Sequence, residues 1–145
     1  MNRGKIPTRS LRGERIFPAQ PAKAAPIYER ALAISEKAQG PVNANTAALT
    51  SNLAGAYKAL GQYAKALPLF ERGLEAAPNN PDLLADYTAT LGELGRATEM
   101  LAAVRRFAAA APGDRRALYL QAVLAARAGN HGLARSLLQR SGDLD

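Results

Sequence analysis

Gly61, Gly95 and Gly129 stand 34 residues apart, and Pro78 and Pro112 keep the same separation. Two kinds of helix-ending residue that share one period show that the chain repeats a structural unit. Within residues 50–80, TSNLAGAYKALGQYAKALPLFERGLEAAPNN, Leu53, Ala54, Tyr57 and Leu60 recur at helical spacing before Gly61. Tyr63, Ala66, Leu67, Phe70 and Leu74 do the same after it. Neither stripe can bury itself alone, so each helix needs its partner and each pair needs the next. Glycine ends the first helix because it adopts the left-handed conformation at low cost, and Pro78, Asn79 and Asn80 end the second.

A Leu-Ala-x-x-Tyr core, an Ala-x-x-x-Phe core and a closing Pro at a period of 34 form a helix-turn-helix signature, here Leu53, Ala54, Tyr57, Ala66, Phe70 and Pro78. On these residues, 47–140 resemble the tetratricopeptide repeat family. A second echo has a longer spacing: AKAAPIYERAL at 22–32 matches AKALPLFERGL at 64–74 at an offset of 42. That part resembles the longer repeats of the kinesin light chain type. The resemblance implies an all-α fold, a right-handed superhelical solenoid of antiparallel helix pairs with about seven helices.

The expected domain is 22–142, preceded by a basic, disordered arm over 1–21 that contains Gly4, Pro7, Gly13, Pro18 and Pro21. The alternative is a short irregular helix over 8–17 that supplies the missing partner of the first repeat helix. That first helix is expected over 22–38, with Ile27, Tyr28, Ala31, Leu32 and Ile34 toward the core. The second is capped by Asn45 and ends at Leu60, and the third covers 62–77. Pro26 and Pro68 are expected to bend the first and third without breaking them. Asn80 and Pro81 open the fourth helix, with Leu84, Tyr87, Leu91 and Leu94 inward. In the fifth, 97–110, Met100 and Phe107 are bulky where the resembling family is usually small, as is Thr88 in the fourth. These are expected to push the helices apart or shift their crossing, whereas Gly73 should leave a gap in the third. Asp114 caps the sixth, 115–128, with Leu118, Gln121, Ala122, Ala125 and Ala128 inward. The seventh, 131–140, turns Leu133, Ala134, Leu137 and Leu138 inward. No polar cap follows it, which suggests a fragment of a longer array or an end that packs on something.

The chemistry-bearing residues argue against an enzyme. His131, the single histidine, lies at a turn beside Asn130 and Gly132 with no acid or nucleophile at a meaningful spacing. There is no cysteine, no metal-ligand cluster and no phosphate-binding loop, so no catalytic residue, cofactor or metal is expected. No run approaches the roughly 18 apolar residues of a membrane span, and no secretory signal is seen, so a cytoplasmic location is expected.

Charge is the more informative property. The net +7 is uneven: 1–21 carry +4, 81–114 carry −2 and 115–145 carry +3. An alternation of sign suggests a patterned protein partner more than nucleic acid. In the resembling family the first helix of each pair lines a concave groove. Steps of 34 then give three stripes: Ala48, Asn52, Gly55, Ala59; Asp82, Asp86, Ala89, Glu93; and Arg116, Leu120, Val123, Arg127, with Tyr119 beside the last. An extended or helical segment bound there would place a basic residue on Asp82, Asp86 and Glu93 and an acidic or carboxyl group on Arg116 and Arg127. Tyr119, Leu120 and Val123 would supply apolar contact. The simpler alternative is that Asp82 with Arg116 and Glu93 with Arg127 are exposed ion pairs between helices. The carboxylate-clamping members of the family use Lys and Asn here; only Asn52 survives and Asp86 has the wrong sign, so that ligand is not expected.

The expected function is a non-catalytic protein–protein interaction scaffold that binds a protein or peptide in the groove. The rival is nucleic-acid binding through Arg3, Lys5, Arg9, Arg12 and Arg15, which lack the interleaved aromatics used for stacking. A third reading is self-association through apolar stripes at Ile27, Leu32, Leu133 and Leu137, and a fourth is a piece of a larger regulatory or enzyme chain.

Overall fold

A computed structural model describes residues 20–142, in which seven α-helices follow one another without a strand. They are α1 (Pro21–Gln39), α2 (Ala44–Ala59), α3 (Tyr63–Ala76), α4 (Pro81–Glu93), α5 (Ala97–Ala110), α6 (Arg115–Arg127) and α7 (His131–Ser141). Each packs chiefly on the helix before it and the helix after it, which is the one-dimensional architecture of a solenoid. The arm expected over 1–21, and the short helix weighed for 8–17, lie outside the described residues except at Gln20 and Pro21, and Pro21 opens α1.

The helix ends follow from local chemistry. Gly40, Gly61, Gly95 and Gly129 have φ of 87, 75, 70 and 82°, a region costly for any side chain, so the turns fall where the glycines are. The side chains of Asn80 and Asp114 accept amide protons in the first turns of α4 and α6. At α2 the cap is Asn43, not Asn45. The Asn43 side-chain oxygen Oδ1 accepts from the Asn45 backbone amide at 2.8 Å, because backbone torsions of −67 and 149° hold Asn43 outside the helix. Pro26 and Pro68 sit inside unbroken helices.

The core forms where the stripes of adjacent helices meet. Leu53, Ala54, Tyr57, Ala66, Phe70, Leu74 and Leu84 are buried together, with Phe70 only 1% exposed. Buried hydroxyls are satisfied locally. Thr50 donates to the Thr46 carbonyl, Thr88 to Leu84 and Thr90 to Asp86, each at 2.7–2.8 Å and four residues back.

Packing corrects several expectations. No gap exists at Gly73: a Cβ there would lie 3.0 Å from Ser51 Oγ and 3.4 Å from a Leu83 methyl, so its neighbours already fill the space. Met100 packs against Gly92, where an added Cβ would lie 3.3 Å from the thioether sulfur, and Phe107 and Thr88 are fully buried, which leaves the expected effect of their bulk on helix spacing and crossing untested. Ile27 and Ile34, expected inside, are exposed, because α1 packs on α2 with a face centred on Ala25 and Leu32. Leu133 is exposed because α7 packs on α6 through Ala134 and Leu137, and Ala128 is exposed because it lies past the end of α6.

Candidate functional site

The first helices of successive pairs, α2, α4 and α6, share one side of the solenoid and enclose an open groove of about 560 Å³. Its walls are Lys58 from α2, Ala85, Asp86 and Ala89 from α4, and Arg115, Arg116, Tyr119 and Leu120 from α6. Local capping sets the positions of the charged residues. Asn80 and Asp114 cap α4 and α6 two residues ahead of Asp82 and Arg116, and these two side chains stand opposite each other.

The charges form connected pairs. The Arg116 guanidinium donates to Asp114 at 2.7 and 3.0 Å and to Asp82 at 2.9 Å, and it rests 5.7 Å from the centre of the Phe107 ring. The Asp114 carboxyl is held below its ordinary value, first by the Arg116 side chain and also by the backbone amides that it caps. The Lys58 ammonium donates to Asp86 at 3.0 Å across α2 and α4. The Arg115 Nε donates to the Ser141 carbonyl, which ties the start of α6 to the end of α7. Lys58, Arg115 and Arg116 therefore stand against Asp82, Asp86 and Asp114, and the groove is close to electrically neutral.

Of the residues singled out in the sequence, Asp86, Arg116, Tyr119 and Leu120 line the groove, and Asp82 joins it through Arg116. Asn52 and Arg127 are exposed and Val123 is half-buried, all outside the lining. The ion-pair alternative describes Asp82 and Arg116 but not the other pair: Glu93 and Arg127 are both exposed, and no ion pair joins them among the described residues. Equal-position stripes missed Lys58 because it reaches a partner 28 residues on, not 34. They missed Arg115 because it is the neighbour of a stripe residue, not a member.

Of the four residues expected to form uncovered stripes at the ends, Leu32 and Leu137 are 6% exposed, whereas Ile27 and Leu133 are 57% and 48% exposed. His131 is exposed at the start of α7. Among the described residues no group of three His, Asp or Glu could hold a metal ion, and no helix is long and apolar enough to cross a membrane.

Two family models, each described as tetratricopeptide repeat, match residues 19–79 and 57–124. No curated protein matches the chain. Among solved structures, MamA MSR-1 C2 is 21% identical with a TM-score of 0.67, covering 88% of this chain and 68% of that one. MamA RS-1 ArsTM double mutant is 24% identical with a TM-score of 0.66, covering 95% of this chain and 70% of that one. MamA 41-end from Desulfovibrio magneticus RS-1 is 22% identical with a TM-score of 0.59, covering 83% and 75%. At such identities the likeness is one of fold.

Proposed function

Because residues 19–124 of this chain belong to the tetratricopeptide repeat family, we propose that it is a non-catalytic scaffold that takes a segment of a protein partner into the groove between α2, α4 and α6. The observation that carries the reading is the combination of a half-exposed Tyr119 with the small Ala85 and Ala89 and with Leu120 in one open groove. Tyrosine offers a large, rigid contact area at low entropy cost, and the two alanines leave room for an apolar side chain of the partner.

The paired charges refine what the partner presents. Asp82, Asp86 and Arg116 already have opposite charges at 2.9–3.0 Å, so a charged partner must compete with them. An apolar anchor on Tyr119 and Leu120 then supplies most of the affinity, and the pairs set register and direction. Exposed Glu93, Arg127 and Asn52 are the polar rim of the proposed site.

The test begins with a photo-activatable amino acid at Ala89, which should capture the partner, against the same group at the exposed Glu75 of α3. The affinity of the captured protein is then measured for Tyr119→Ala and Arg127→Glu, each first shown to be folded by circular dichroism. Tyr119→Ala should weaken binding by about tenfold or more. If both variants bind as tightly as the parent, the groove is not the site.

A further inference from the structure

Leu67 and Leu101 stand 34 residues apart at one position of the second helices α3 and α5, yet Leu67 is 4% exposed and Leu101 is 37% exposed. Leu67 is covered by a cluster with Leu91 of α4 and Ala103 of α5, closed at its edge by Tyr87, Leu94 and Met100. One period on, the places of Leu91, Tyr87, Leu94 and Met100 are held by Ala125, Gln121, Ala128 and Ala134, each smaller than its counterpart. Only the place of Ala103 gains bulk, with Leu137. The small core that α6 and α7 form around Leu118 and Leu137 does not reach Leu101.

The charge at the edge of the cluster changes as well. Tyr87 meets Glu99, Ala102 and Arg106 in one hollow between α4 and α5. Burial first, and then the Glu71 and Glu99 carboxylates, hold the Tyr87 phenol above its ordinary value, against the opposing pull of Arg106 and Arg96. The phenol thus sits among balanced charges. One period on, Glu71, Glu99, Arg106 and Arg96 become Arg105, Leu133, Arg140 and Asn130, and neither α6 nor α7 contains an acidic residue. The place equivalent to that of Tyr87 therefore has exposed arginines, no carboxylate and a Leu133 that is 48% exposed.

We propose that the notch between α5, α6 and α7 at Leu101 and Gln121 is a second binding surface, which takes an aromatic side chain of a protein partner with a carboxylate beside it. The partner supplies what Tyr87, Glu71 and Glu99 supply one repeat earlier: a ring to cover Leu101 and Leu133, and negative charge for Arg105 and Arg140. None of these residues lines the groove of α2, α4 and α6, so the surface stands or falls independently of it.

Amide chemical-shift titration of the full chain with the acetylated tripeptide Glu-Tyr-Glu tests this, with Lys-Tyr-Lys as the control. The acidic peptide should shift the amides of Leu101, Gln121 and Leu133 with a Kd on the order of 1 mM, at least about tenfold tighter than the basic one. Gln121→Tyr, which restores the residue of the preceding repeat, should abolish these shifts, and Arg105→Glu with Arg140→Glu should reverse the preference between the peptides. No shift at these amides in the parent, equal binding of the two peptides, or shifts that survive Gln121→Tyr would overturn the proposal. So would the same amides shifting with protein concentration alone, since the cover is then a second copy, or shifting more with an oligothymidylate than with the peptide, since phosphate is then the ligand. Shifts confined to Ala89, Tyr119 and Leu120 would put the peptide in the groove, which overturns this surface and leaves the groove reading intact.

Discussion

Gly73→Ala sets two effects of similar size against each other. Alanine inside α3 gains about 0.5–1 kcal/mol over glycine, because glycine loses more backbone freedom on folding. The added Cβ, however, would lie 3.0 Å from Ser51 Oγ, and that hydroxyl donates to the Ala47 carbonyl at 3.0 Å. Relief requires the hydroxyl to rotate away, at the loss of a hydrogen bond worth about 1 kcal/mol net. The Leu83 methyls at 3.4 and 3.6 Å are close to ordinary contact and add little. Gly73→Ala should therefore be nearly neutral in the parent chain and stabilising by about 0.5–1 kcal/mol in Ser51→Ala, where the obstructing oxygen is gone. Urea unfolding of the four chains of the cycle, followed by circular dichroism, gives the coupling free energy directly. Coupling of about 0.5 kcal/mol or more is expected. If Gly73→Ala stabilises both backgrounds equally, α2 and α3 are not in the close contact described, and the reasoning fails.

Phe70→Ala should cost about 3–5 kcal/mol: roughly 2 for lost transfer from water, and about 2.4 from 24 cal/mol per Å³ over a cavity of roughly 100 Å³. Ile34→Ala, at a residue 69% exposed, should stay within about 0.5 kcal/mol, and a loss at Phe70 below about 1 kcal/mol in the same unfolding assay would refute the face assignment. The Asp114 carboxyl is depressed below its ordinary value of 3.8, so its contribution is present above that pH and disappears as pH falls through the lower folded value. Asp114→Asn should flatten the loss of stability on acidification below about pH 4, and an unchanged acid limb would show that this carboxylate does not contribute.

The period of 34, the glycines and the caps Asn80 and Asp114 determined from sequence alone where most of the described helices end. These are local facts: a left-handed backbone or an unsatisfied amide is settled within four residues of itself, so one stretch of chain contains the whole cause. The groove stripes were partly legible for the same reason, since one helix fixes which of its residues share a face. What one helix offers a neighbour depends on whether the neighbour is there, and only the tertiary structure decides that. Leu69 and Ile27 occupy the same position of the same motif, yet one is half-buried against the core and the other faces solvent. Gly73 reads as a gap until Ser51 and Leu83 are seen to fill it, and Gly92 looks idle until Met100 is found against it. Lys58 meets Asp86 because neighbouring helices are offset in space by an amount the repeat length does not contain. Burial and pairing across helices are properties of two surfaces at once, and a sequence period describes only one.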